Sequence, residues 1–119
     1  MTPTRLMLRL YFGELMLGPG KADLLAGIAE EGSISAAGRR MGMSYKRAWM
    51  LVEAMNAGFA EPLVESARGG AKGGDAALTE AGQTVLAAYR ALEAKLREAG
   101  AEELATISSL VRGDMSDGK

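Results

Sequence analysis

The chain contains no cysteine and no histidine. Without cysteine there is no disulfide framework and no thiolate metal site. Without histidine the commonest general base and the commonest metal ligand are both missing. The remaining Asp, Glu, Ser and Lys residues show no paired spacing suited to acid–base or nucleophilic work. Neither an enzyme nor a bound metal or cofactor is therefore expected. Aromatic residues are scarce, at 5% of the chain with a single tryptophan. No uninterrupted apolar run has the length of a membrane helix. Arg5, Arg9 and Glu14 break up the first twenty residues, which excludes a signal-peptide core. The mature protein is read as starting at Met1, and the cytoplasm is its expected location. Neither sign of charge dominates, since 14 Lys and Arg face 15 Asp and Glu for a net charge of -1.

What is present describes a small folded domain. Hydrophobic residues make up 48% and charged residues 24% of 119 residues, an ordinary globular mix. One domain over residues 1–119 is expected, with a core small enough for a dimer interface to help it. The charges are unevenly spread. Residues 33–49 hold Arg39, Arg40, Lys46 and Arg47 with no acidic residue, whereas acids dominate from Glu98 onward. A basic patch in a near-neutral chain still attracts phosphate, because a polyanion senses local potential.

Hydrophobic periodicity predicts a mainly α-helical chain with a small β component. Residues 5–12 alternate as Arg-Leu-Met-Leu-Arg-Leu-Tyr-Phe and predict an N-terminal strand, which residues 15–17 continue or return. Gly18-Pro19-Gly20 leads into a helix over residues 21–31, with its apolar stripe at Leu24, Leu25, Ile28 and Ala29. Ser33 suits the cap of a short helix over residues 34–41, and Ser44 the cap of another from Tyr45 to about Ala57. Residues 63–65 form a short strand, the following stretch is glycine-rich, and Ala77-Leu78 supply a return strand. Thr79 caps a long last helix over about residues 79–111, which Gly100 is placed to kink or break. Val85, Tyr89, Leu92 and Leu96 recur along it as a coiled-coil-like seam, which points to a dimerisation helix. Residues 112–119 read as a flexible tail.

The segment 33–49 carries the functional signal. A helix-turn-helix needs a short first helix, a tight turn and a second helix entering the major groove by its N-terminus. Ile34, Ala37 and Met41 supply the inner stripe, Ala36 and Ala37 are small where helices cross, and Gly42 suits the turn. Ser44, Tyr45, Lys46 and Arg47 open the recognition helix, with Met50 on its outward side. Lysine and arginine reach guanine edges or phosphates, and the helix N-terminus itself favours phosphate. Ser33, Ser35, Arg39 and Arg40 on the preceding helix complete the expected DNA face. The glycine-rich loop, with Arg68 and Lys72, looks like a basic wing. It does not match a nucleotide-binding loop, because Lys72 is followed by Gly73-Gly74-Asp75 rather than Ser or Thr. Trp49 is read as a core anchor and the methionines as core filler.

Gly32-Ser33-Ile34-Ser35-Ala36-Ala37, Ser44-Tyr45-Lys46, Ala48-Trp49, Met55-Asn56, the double glycines at 69–70 and 73–74, and Leu78-Thr79-Glu80-Ala81-Gly82 together resemble the N-terminal domain of the ModE family. This is the family of molybdate-responsive transcriptional regulators. The chain is similar, more distantly, to the helix-turn-helix of LysR-type regulators. The resemblance covers about residues 8–96. It implies a dimeric winged helix that binds double-stranded operator DNA near molybdenum-transport or molybdoenzyme genes, with the first strand and the last helix in the dimer contact. Full-length ModE proteins continue into small β-barrel domains that bind molybdate, for which these residues leave no room. Molybdate binding by this chain alone is therefore not expected. The alternative function is a winged-helix interaction module that pairs with another regulator without reading DNA.

Overall fold

The computed structural model describes residues 5–66 and 75–112. Arg68, Lys72 and the expected tail lie outside the described residues, apart from Arg112. The element order is β1 (Leu10–Phe12), β2 (Leu15–Leu17), α1 (Pro19–Glu31), α2 (Ile34–Arg40), α3 (Tyr45–Gly58), β3 (Val64–Ser66), β4 (Ala76–Leu78), α4 (Glu80–Ala99) and α5 (Ala101–Ser109). The fold is mainly helical, with β1 pairing β2 and β3 pairing β4 in separate antiparallel sheets.

The N-terminal strand is shorter than the alternation predicts, and it is half of a hairpin. Leu10 faces Leu17 and Phe12 faces Leu15, which leaves Gly13 and Glu14 as a two-residue loop. Gly13 has φ 63°, and no non-glycine residue among those described has a positive φ. Glycine at the first loop position gives a turn whose twist matches that of the flanking strands. The segment before β1 is tied to α4 instead of pairing as a strand. The Tyr89 hydroxyl donates to the Leu8 carbonyl at 2.6 Å. Burial pushes the Tyr89 phenol pKa up, and the charge of Glu93 adds to the effect.

The three central helices start and stop where local chemistry demands. Pro19 opens α1, where its missing N–H costs nothing. Gly32 closes it with φ 73°, its N–H donating to Ile28. The Ser33 hydroxyl accepts from the Ala36 N–H to cap α2. That helix ends at Arg40, one residue short of the expected Met41, and the chain turns at Gly42 with φ 76°. Two glycines let these helices approach closely: a Cβ on Gly27 would lie 3.1 Å from the Ala37 Cβ, and one on Gly38 2.9 Å from the Ala48 Cβ. Gly38, which the sequence reading passed over, thus lets α2 cross α3. The core gathers Leu24, Leu25 and Ile28 from α1 with Val52 and Met55 from α3 and Leu63 ahead of β3, all fully buried.

Asn56 joins α3 to the β3–β4 hairpin. Its side-chain oxygen accepts from the Leu63 N–H at 2.8 Å and the Val64 N–H at 3.2 Å, while its amide nitrogen donates to the Val64 carbonyl at 3.0 Å. The side chain thereby pairs with β3 much as a neighbouring strand would. Leu63 and Val64 are buried, so water does not easily replace these bonds. Asn56→Ala is expected to destabilise the fold by about 2–4 kcal/mol. Urea unfolding should show a lower midpoint with an unchanged slope. An unchanged midpoint would remove Asn56 from this role.

The last helix is two helices. Gly100 is where a kink or break is expected in the helix over about residues 79–111, and there α4 stops at Ala99 and α5 starts at Ala101. Gly100 sits between them with φ -98° and ψ 16°. Glycine is a poor helix interior residue, and Glu102 and Glu103 behind it suit the first turn of a new helix. Arg90 fastens α4 to α1 through Asp23 at 2.7 Å. Tyr89, expected on the outer seam, is instead 2% exposed and packs with Leu17 and Ala22. The hairpin and the segment before β1 claim that face of α4. Val85 and Leu92 are half-buried and line a groove with Phe12 and Phe59, which leaves Leu96 as the exposed member of the predicted seam.

Candidate nucleic-acid interface

The start of α3 is built outward from its buried face. Ala48, Val52 and Met55 lie at helical spacing and are buried, which directs Lys46, Met50 and Glu53 away from the core. Tyr45, Lys46, Arg47 and Met50 are all exposed. The Ser44 hydroxyl accepts from the Arg47 N–H at 3.1 Å and holds the first turn in place. The helix therefore presents its positive end together with two cationic side chains, an arrangement suited to a polyanion.

The neighbouring helix adds a second set of groups. Ser33 is spent on capping α2, although its hydroxyl proton remains to donate. Arg39 donates to the Ser35 hydroxyl at 3.2 Å. Among the described residues Arg39, Lys46 and Arg47 form no ion pair. Arg40 differs. Its guanidinium lies 2.6 Å from Glu30 and 3.1 Å from Glu31, and the hydrogen bond to Glu30 leads the causes that raise its pKa. Two carboxylates thus hold Arg40 toward the end of α1. Among the described residues, the basic run of the sequence separates in space into cations without an ion pair and one arginine held by two carboxylates.

Trp49 is not the core anchor that its type suggested. It is 40% exposed, because the narrow buried face of α3 is filled by small and medium side chains. The β3–β4 hairpin meets the helix-turn-helix at its base, where Ala76 N–H donates to the Gly32 carbonyl at 3.0 Å and Asp75 bridges to Ser33. This joins the hairpin to the cap of α2, a contact no sequence motif announced. Among the described residues no helix is long and apolar enough to cross a membrane, and no cluster of acidic residues is placed to hold a metal ion.

The chain is similar to known proteins in sequence and in fold. The chain is 53% identical over 78 residues to the molybdenum-pterin-binding protein MopB of Rhodobacter capsulatus, covering 66% of this chain and 29% of that protein. It is 39% identical over 103 residues to the molybdenum transport protein ModE of Azotobacter vinelandii, covering 83% and 38%. It thus spans about a third of the length of these relatives. Among solved structures, the DNA-binding domain of CbnR in complex with DNA superposes with a TM-score of 0.56 at 25% identity, covering 73% of this chain and 95% of that one. Residues 21–83 match the model of the bacterial regulatory helix-turn-helix proteins of the lysR family. That segment takes in α1, the capped helix-turn-helix, the β3–β4 hairpin and the start of α4, and the chain belongs to this family of DNA-binding regulators.

Proposed function

We propose that this chain regulates transcription by binding operator DNA at molybdenum-transport or molybdoenzyme genes, as a homodimer in the bacterial cytoplasm. The observation that carries DNA recognition is the exposed start of α3, where Lys46 and Arg47 form no ion pair among the described residues and lie beside the helix N-terminus. Support for the molybdenum connection comes from relatives named for molybdenum. Genome-wide mapping of bound DNA tests it. Occupied sites should share a motif and lie beside genes of molybdenum uptake or use. Sites scattered without a motif would contradict it.

Support for the dimer comes from the α4–α5 region. Leu96, Ile107, Leu110 and Val111 are 43%, 63%, 83% and 47% exposed, an apolar surface suited to a partner. A twofold partner also fits an operator with two half-sites. The double variant Ile107→Asp with Leu110→Asp should weaken self-association about tenfold or more, since carboxylates there would be desolvated without partners. Light scattering at micromolar concentration should give a dimer mass for the natural chain and a monomer mass for the variant. A monomer mass for the natural chain would contradict the dimer.

A further inference from the structure

We infer that Tyr45, Trp49 and Met50 form an apolar strip on α3 that reads the 5-methyl groups of thymine in the major groove. The inference rests on the DNA-binding role of α3 proposed above and names what that helix recognises. The three side chains are 50%, 40% and 56% exposed, and all lie on the first two turns of α3. Tyr45 and Trp49 are four residues apart and so stack along one side of the helix. Met50 lies further round, four residues beyond Lys46, so the strip wraps around that lysine. Single exposed apolar residues are ordinary, but three large ones adjoining at a helix start form a surface that a partner would cover.

The surrounding charge selects the partner. Arg39, Lys46 and Arg47 form no ion pair among the described residues, so the surface suits a polyanion with apolar groups on its floor. The major groove has that chemistry where it carries thymine, because the thymine methyl is the apolar group displayed there. Each side chain brings a different property. Methionine is flexible and fits an irregular floor. Tyrosine and tryptophan offer rigid apolar area with a polar tip able to reach a phosphate. Glu53 lies on the next turn and is exposed, so it disfavours phosphate at that end and leaves the helix start as the cationic end.

The test removes the methyl group and leaves the protein untouched. Duplexes bound by the full chain are selected from a randomised library. In the best one, each thymine is replaced in turn by uracil. At one or more positions per half-site the dissociation constant should rise about three- to ten-fold, the scale of one buried methyl group. Met50→Ala should bring that thymine-to-uracil ratio close to one where Met50 makes the contact, while melting temperature and circular dichroism stay unchanged, since that side chain is mostly exposed. A selected site that binds equally well with every thymine replaced, or that contains no thymine, would overturn the inference and leave DNA binding intact. If no duplex is bound or enriched at all, DNA recognition by α3 fails and the inference falls with it.

Discussion

Gly82→Ala should unfold or severely destabilise this protein, although it adds a single methyl group. A Cβ at Gly82 would lie 2.1 Å from the Leu63 carbonyl oxygen and 3.0 Å from its carbon. Both are backbone atoms, so no side-chain rotation relieves the clash. Leu63 is fully buried, and its carbonyl accepts from the Thr79 N–H at 2.9 Å. Thr79 caps α4 by accepting from the Gly82 N–H at 3.0 Å and donates its hydroxyl proton to Pro62 at 2.7 Å. Moving α4 outward would break this junction and open the core beneath β3. The expected loss is about 3 kcal/mol or more, at or beyond the upper end for overpacking. A fall of roughly 10 °C or more in melting temperature should follow. Gly58→Ala is the control. Its Cβ would meet Leu15 Cδ1 at 2.6 Å, the end of a flexible side chain, so its cost should stay below about 1.5 kcal/mol. Equal melting temperatures for Gly82→Ala and the natural chain would contradict the close packing of α4 on Leu63.

The second large effect falls on binding. Lys46→Ala combined with Arg47→Ala should weaken specific DNA binding by about a hundred-fold at moderate salt, from roughly 1–3 kcal/mol per side chain. Both residues are exposed, so the melting temperature should stay within about 2 °C, as for an ordinary surface substitution. The slope of log affinity against log salt should fall by about one for each phosphate contact removed. Arg40→Ala provides the contrast. Glu30 and Glu31 already hold that guanidinium, so its loss should cost markedly less. Fluorescence anisotropy with a labelled duplex measures the affinities of the natural chain and both variants. A double variant that binds like the natural chain would remove α3 as the recognition helix.

Much of this architecture was legible in the sequence because its signals are local. Ser33, Ser44 and Thr79 cap helices in the structure as their positions suggested, since a cap depends on residues only three positions apart. Leu24, Leu25 and Ile28 of the α1 stripe are buried for the same reason, whereas Ala29, which shares their spacing, is exposed. What escaped depends on contacts distant in sequence. Tyr89 fits a coiled-coil seam by spacing alone, yet the hairpin and Leu8, 81 residues away, bury it and take its hydroxyl. The alternation over residues 5–12 is genuine, but a strand also needs a partner edge, and only Leu10–Phe12 finds one. Arg40 belongs to the basic run in sequence and to Glu30 and Glu31 in space. Trp49 suits the core by residue type, whereas the face it occupies on α3 is exposed. Nothing in the spacing of Asn56 on α3 signals that its amide pairs with β3.

Recognition of DNA by the exposed start of α3 is put to the test by a salt series of binding constants. The full chain is titrated against a duplex recovered from its own genomic sites and against a scrambled duplex of equal composition. A preference of about a thousand-fold or more for the genomic duplex is expected at physiological salt. Both affinities should fall steeply as salt rises. Equal affinity for the two duplexes, or binding insensitive to salt, would contradict that recognition.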